Sequence, residues 1–331
     1  MNRIELLEAL NKAKPGLSAK EIIEQSTSFV FKDNEIITYN DEVAVRVPFE
    51  SELEGAVMAN PLIQLLSKFG DAEIDITTEN GEMRIKGKRR KGGVKMASEI
   101  VLPIDNIEKP DKWEKLHCEF MDAVKMVMKS TSKDQSRYIL TCVHITDKLI
   151  EACDNIQITR YKLDTGMDNV LIPNTSLSSL VNYDMVEFSI GDNWIHFRDN
   201  EGVIYSTRLF KEKYPKLDDI AEFNGIETEF PAGLIEATQR AEIFSNTDAM
   251  NNTVVIDLAK DKMTLRGEGD YGWYEEEGVI DYTGKPVKFR VVPALLKTLL
   301  ANTNICEISD FRMKITSDSF THIICLTIIE D

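Results

Sequence analysis

Apolar positions along the chain fall into two alternating registers. Ile4, Leu6, Leu7 and Leu10 recur at helical spacing, as do Phe120, Val124, Val127 and Met128, and then Leu234, Ile235, Ala237, Ala241 and Phe244. Each set predicts a helix with one buried face. After each come two strand-like runs broken by a polar turn. The pairs are 28–32 with 35–39 around Asp33-Asn34, 138–145 with 148–152 around Thr146-Asp147, and 253–258 with 262–266 around Lys260-Asp261. That is the hairpin pattern. A second helix then follows an apolar stretch that carries Pro61, Pro173 or Pro293, since proline at a helix mouth loses no hydrogen bond. Each second helix leads into a further hairpin, 73–77 with 82–86, 186–190 with 194–198, and 311–316 with 321–328. The order helix, strands, helix, strands thus recurs at about 115 residues. It predicts an α+β fold of three repeated domains, each with two helices packed on antiparallel sheets.

Two charged, proline-bearing stretches, 103–111 and 211–219, interrupt the pattern where the period places connectors. The expected domains are therefore 1–112, 113–222 and 223–331. Among the 331 residues, 39 Lys and Arg stand against 56 Asp and Glu, a net charge of −17. Such a balance argues against a protein held to nucleic acid by many phosphate contacts, which need clustered cations. No run approaches the roughly 18 apolar residues of a membrane helix, and Glu5 falls where a signal peptide would be apolar, so the expectation is a cytoplasmic protein. Cys118, Cys142, Cys153, Cys306 and Cys325 are scattered without a CxxC pair and are read as small buried apolar residues, with no disulfide framework and no zinc site.

The candidate chemistry is mostly negative. Gly267-Glu268-Gly269-Asp270-Tyr271-Gly272 matches a dinucleotide pattern, but three carboxylates follow where a helix N-terminus should receive phosphate, so it is read as a mobile loop. His117, His144, His196 and His322 lack metal spacing, and His144 near Cys142 is read as a partly buried histidine. With no catalytic constellation, cofactor or metal motif, the chain is not expected to be an enzyme. Two basic features oppose the overall charge. Residues 86–95 carry six cations and no acid, and Lys125, Lys129 and Lys133 would form one stripe on the first helix of the second domain.

The ordered series of motifs resembles a known family, the sliding clamp (beta subunit) of bacterial DNA polymerase III. Arg240-Ala241-Glu242-Ile243-Phe244-Ser245-Asn246 is similar to its signature at the end of the first helix of domain 3. Tyr205-Ser206-Thr207-Arg208-Leu209 with Lys213-Tyr214-Pro215, Arg137-Tyr138-Ile139-Leu140, Asp154, and Ile280-Asp281-Tyr282-Thr283-Gly284 also fit. The resemblance spans nearly the whole chain. It implies the DNA clamp fold and a processivity factor: a head-to-tail homodimer ring around duplex DNA that tethers a polymerase and is loaded by a clamp loader, both bound through short peptides. Enclosure then makes the acidic balance tolerable, because retention does not need tight adhesion.

Residue by residue, the resemblance puts Lys12, Lys68, Lys125, Lys129, Lys133, Gln135, Arg137, Tyr138, Arg240 and Lys297 on DNA. It puts Leu140, Cys153, Asn155, Ile156, Gln157, Ile158, Ile323, Cys325, Leu326 and Ile328 in the peptide pocket. Ring closure would pair Lys86, Lys88, Arg89, Arg90 and Lys91 with Glu268, Asp270, Glu275, Glu276 and Glu277 around an apolar centre of Ile243 and Phe244. The sequence departs from the family in the pocket, which reads Cys153-Asp154-Asn155-Ile156-Gln157-Ile158 and Cys325-Leu326-Thr327-Ile328, and it starts on the first helix without the strand that normally precedes it. Such divergence fits a clamp encoded by a phage or mobile element. The alternative reading is a clamp-shaped interaction protein that binds polymerase or loader without encircling DNA.

Overall fold

The computed structural model describes residues 1–222, 224–245, 252–301, 303–309 and 311–329, with the side chain of Leu299 left aside. Asn246, the last residue of the 240–246 motif, lies outside them. The sequence period becomes a repeated order of elements. The first copy is α1 (Arg3–Ala13), β1 (Ser28–Lys32), β2 (Glu35–Tyr39), β3 (Val43–Pro48), β4 (Gly55–Met58), α2 (Ala59–Lys68), β5 (Asp75–Glu79), β6 (Glu82–Lys86) and β7 (Lys91–Ala97). A short β8 (Glu114–Lys115) introduces the second: α3 (Phe120–Val127), β9 (Cys142–Thr146), β10 (Leu149–Cys153), β11 (Gln157–Lys162), β12 (Val170–Pro173), α4 (Asn174–Leu180), β13 (Met185–Ile190), β14 (Trp194–Asp199) and β15 (Ile204–Arg208). After a one-turn α5 (Asp218–Ala221), β16 (Ile226–Glu229) introduces the third: α6 (Leu234–Glu242), β17 (Val254–Ala259), β18 (Lys262–Gly269), β19 (Gly272–Gly278), β20 (Val287–Val291), α7 (Pro293–Leu300), β21 (Ile305–Ile308), β22 (Arg312–Thr316), β23 (Phe320–Cys325) and a final β24 (Thr327–Ile328).

Local chemistry sets these boundaries. Asn2 caps α1, its Oδ1 accepting from the N–H groups of Ile4 (2.9 Å) and Glu5 (3.3 Å). The helix buries Leu6, Ala9, Leu10 and Ala13, one stripe at helical spacing, while Ile4, expected on that face, is half exposed. Asp33 and Asn34, and again Asn80 and Gly81, take left-handed φ angles of 52°, 60°, 52° and 74°. Two such residues in a row make the tight turn whose twist matches the strands it joins. Asn2 also bridges to Glu73, and Met1 and Ile74 exchange backbone hydrogen bonds of 3.0 Å. The first copy therefore does have a rudiment of the preceding strand, contrary to the sequence expectation.

The Cα positions separate into two compact units that cut across the expected domain boundaries. One comprises residues 1–125 and 167–212, the other 126–166 and 213–331. The first unit holds an eleven-stranded sheet, ordered β5-β6-β7-β4-β1-β2-β3-β15-β14-β13-β8. Its middle is a seam between copies one and two, antiparallel from Val43 opposite Thr207 to Arg46 opposite Ile204. Val30, Ile37, Tyr39, Ala44 and Trp194 pack together across that seam. In the second unit the strands run β9-β10-β11-β23-β22-β21-β16, with the equivalent seam between β11 and β23, and a second sheet runs β19-β18-β17-β20-β24. Phe230, Leu234, Ile256, Leu265, Phe289 and Met313 belong to its core.

Several sequence expectations are corrected. Residues 135–141 form 3₁₀ turns, so the strand expected over 138–145 starts at Cys142. The run 321–328 is two strands, because the chain leaves the sheet after Cys325 and Thr327–Ile328 pairs with β20 instead. The glycine pattern is the β18–β19 hairpin and not a loop: Gly269 pairs with Gly272, and a Cβ on Gly267 would lie 2.0 Å from the Ala241 carbonyl of α6. Gly267 is there to let a helix approach. Cys142, Cys153 and Cys306 are buried as expected, whereas Cys118 and Cys325 are exposed.

Candidate protein-binding and nucleic-acid-binding surfaces

The residues expected in the peptide pocket belong to the second unit, most of them on or beside the seam of β11 and β23. Asp154 orders the turn between β10 and β11. Its Oδ1 accepts from the N–H groups of Ile156 (2.7 Å) and Gln157 (2.9 Å), and its Oδ2 from Gln157 Nε2 (2.9 Å). This turn holds Asn155 and Ile156 outward, and Arg137 donates to Asn155 Oδ1 at 2.9 Å. Across the seam the Cys325 N–H donates to the Ile156 carbonyl at 2.7 Å, which sets the exposed thiol of Cys325 beside Ile156. Burial pushes the thiols of Cys153 and Cys325 up from their ordinary value, so both stay neutral at pH 7. Of the ten pocket candidates, Asn155, Ile156 and Cys325 are exposed and Leu140 and Ile328 are half-buried. Cys153, Gln157, Ile158, Ile323 and Leu326 are buried in the fold.

Ile328 also lines a cavity of about 650 Å³ that sequence reasoning missed. Ile226, Tyr282, Pro286, Val287, Ile308 and Phe311 contribute its walls. Phe311 is 67% exposed, and its carbonyl accepts from the Leu326 N–H at 2.8 Å, which fixes it beside the point where the chain switches sheets. Asn224, Lys285 and Ser309 add polar groups to these apolar walls, so the cleft suits an apolar side chain flanked by polar backbone or side-chain atoms. The signal in the sequence was an aromatic directly after Ser309-Asp310. Counting Phe311 into a strand concealed it.

The expected DNA-contacting cations divide into two groups. Lys12 pairs with Glu201, Lys125 lies 3.7 Å from Asp122, Arg240 2.6 Å from Glu276 and Lys297 2.6 Å from Glu242. Lys68, Lys129 and Lys133 are exposed and form no ion pair among the described residues. Lys125, Lys129 and Lys133 do not share a helix stripe: α3 ends at Val127, residues 128–130 are a 3₁₀ turn, and Lys133 lies beyond it. Gln135, Arg137 and Tyr138 sit together in the 3₁₀ segment that follows, with Gln135 and Arg137 exposed.

The expected interface residues lie on separate units. At the end of α6 Ile243 is 73% exposed, and the ring of half-buried Phe244 packs near Gly272, in the hairpin that also exposes Tyr271 and Trp273. The acidic strand is less available than its composition suggests. Arg266 reaches Glu268 and Glu275, both at 3.1 Å, Lys262 pairs with Glu277 at 2.5 Å, and Arg240 holds Glu276. The hydrogen bond from Tyr274 and the Arg240 guanidinium hold the Glu276 carboxyl below its usual value. The basic residues Lys86, Lys88, Arg89, Arg90 and Lys91 are exposed at the β6–β7 turn of the first unit and form no ion pair among the described residues. No group of three or more metal-ligating side chains occurs among the described residues. His144 instead lies 2.9 Å from Glu151 and stacks on Tyr214 at 4.8 Å between ring centroids.

No protein-family model and no curated protein matches the sequence. Solved structures do. The beta chain of DNA polymerase III from Streptococcus pneumoniae superposes with a TM-score of 0.85 at 21% identity, covering 100% of this chain and 98% of that one. A sliding clamp (DNA polymerase III subunit beta) from Bartonella birtlesii bound to griselimycin gives 0.87 at 14% identity and the same coverage. The sliding clamp from Bacillus subtilis gives 0.83 at 15%. The chain has the sliding-clamp fold. The clamp fold accounts for the three copies of α-ββββ-α-βββ, including the strands that introduce copies two and three. Among the described residues, no helix is long and apolar enough to cross a membrane.

Proposed function

We propose that the protein is a non-enzymatic DNA polymerase processivity factor, a clamp that closes as a head-to-tail homodimer around duplex DNA. The observation that carries this reading is the coincidence of its fold with sliding clamps over 98% or more of both chains. The local chemistry supports it. The outer edge of β19 carries no strand partner among the described residues, nor does the edge of β7 opposite β6 over residues 91–95. Two such edges on one chain are what a heterologous contact between copies needs. Ile243, Phe244 and Trp273 would supply its apolar centre, and exposed Lys91 and Lys95 would face a hairpin with a surplus of carboxylates. The cleft beside Ile328 and Phe311, together with exposed Ile156 and Cys325 at the β11–β23 seam, would take short apolar peptides of a polymerase and a loader. Tethering a polymerase there raises its concentration at the primer end and makes rebinding intramolecular. The expected compartment is the cytoplasm.

The test is retention on nicked circular duplex DNA after loading, with release when the circle is cut. Retention that survives linearisation would refute enclosure. The pairing of Lys12, Lys125, Arg240 and Lys297 with carboxylates favours a second reading, an interaction protein of clamp shape that binds polymerase or loader off DNA. That reading predicts peptide binding without retention on the circle.

A further inference from the structure

In a chain of net charge −17, positive potential survives only where cations escape their neighbours' carboxylates. Among the described residues, the turn between β6 and β7 gathers five such cations. Lys86, Lys88, Arg89, Arg90 and Lys91 are exposed there, and none forms an ion pair among the described residues. The turn is held in shape by its backbone, the Gly87 N–H donating to the Arg90 carbonyl at 2.9 Å, so these side chains are not needed to close it. It also packs on the C-terminal end of α2. A Cβ on Gly70 would lie 2.9 Å from the Arg90 guanidinium, and one on Gly92 would lie 3.0 Å from Leu65. This contact makes the turn continuous with Lys68 in the last turn of α2. Asp71 packs its carboxylate against Gly87 at the base of the turn and offsets one of the charges. Four of the five acids expected to meet this turn across an interface are already engaged within their own unit, Glu276 by Arg240, Glu277 by Lys262, and Glu268 and Glu275 by the one Arg266.

We infer that the β6–β7 turn together with the end of α2 is a phosphate-binding patch for duplex DNA, with Lys88, Arg89 and Arg90 as its principal contacts and Lys68 beside them. The helix cations Lys12 and Lys297, bound to Glu201 and Glu242, contribute far less. The inference rests on the proposed function for the identity of the polyanion, but not on enclosure. Phosphate neutralisation is read by salt: each contact adds about 0.9 to the slope of log affinity against log salt. The variant Lys88→Ala/Arg89→Ala/Arg90→Ala and the control Lys12→Ala/Lys297→Ala are compared with the native protein. The probe is a fluorescent 30-base-pair linear duplex followed by anisotropy between 50 and 200 mM salt, with sedimentation of each protein alongside.

The expected result is a slope smaller by about 2.7 for the triple variant, an unchanged slope for the control, and unchanged sedimentation for both. An unaltered slope in the triple variant overturns the assignment, as does an equal loss in the control or a native protein that does not bind the linear duplex. A triple variant that sediments as a smaller species would assign the turn to the contact between copies, and so also overturns it. Loss of retention on circular DNA by the native protein, with linear binding intact, would sink the clamp function and leave the patch standing.

Discussion

Lowering the pH should destabilise both units by the same physical route, one buried histidine in each. In the first unit His196 lies on β14 and its Nδ1 meets Ser206 Oγ at 2.7 Å, on the strand that forms the seam with β3. In the second, His322 on β23 meets Thr159 Oγ1, on the strand across its seam, and Thr159 in turn meets Ser130 Oγ at 2.6 Å. Both Nε2 atoms are buried without a partner. Burial therefore pulls each imidazole from 6.5 down to about 4, with Arg46 lowering and Glu108 raising His196 slightly. The native state holds these groups neutral while the unfolded chain takes up the proton. The stabilisation is thus complete above pH 6.5 and is lost as the pH falls toward 4. One pKa unit corresponds to about 1.4 kcal/mol, so each histidine withdraws about 2 kcal/mol by pH 5 and about 3 kcal/mol by pH 4. Urea unfolding between pH 7.5 and 4.5, for the native protein and for His322→Asn, measures this directly. The variant keeps a hydrogen-bonding atom near the Nδ1 position and removes the titration, so its second unit should lose about 2 kcal/mol less than the native protein between pH 7 and 5. Parallel curves for the two proteins would refute the argument.

Three further outcomes follow from the geometry. Ile243→Asp with Phe244→Asp should yield monomers, because charge would occupy the apolar centre proposed between copies, and an unchanged sedimentation coefficient would count against that contact. Phe311→Ala should weaken binding of an apolar partner peptide by about 2 kcal/mol, roughly 30-fold, in calorimetry, while the native midpoint of unfolding is kept. Gly267→Ala should cost about 3 kcal/mol of stability in the second unit, since its methyl would meet the Ala241 carbonyl of α6 and backbone cannot yield as a side chain can.

Much of the fold was legible because helices and hairpins announce themselves locally. The spacing of Leu234, Ala237 and Ala241 and turns such as Asp33-Asn34 depend on near neighbours, and both appear where expected. The misreadings concern partners distant in sequence. Nothing near Thr327 shows that its strand leaves β22 for β20, and Tyr138 to Leu140 look like strand until the turn that Asp134 caps is seen. The candidate surfaces were legible as residue types and not as availability. Arg240 and Glu276 were assigned to different partners, DNA and the facing copy, but they satisfy each other at 2.6 Å. Half of the residues that the resemblance put in the peptide pocket are buried in the fold, and the cleft beside Phe311 needed the sheet switch to be seen.

The seam between β3 and β15 has a practical consequence for the 103–111 connector. Copies one and two are stitched by a ladder running from Val43 to Arg46, and Ile104 and Ile107 of the connector are buried in the same core as Trp194, so the connector is packed into the joint and its covalent continuity adds little to it. A protease cut within it should leave two polypeptides that co-elute under native conditions and part only in denaturant. Insertions between Ile104 and Glu108 should loosen the molecule, because they draw Ile104 and Ile107 out of that core.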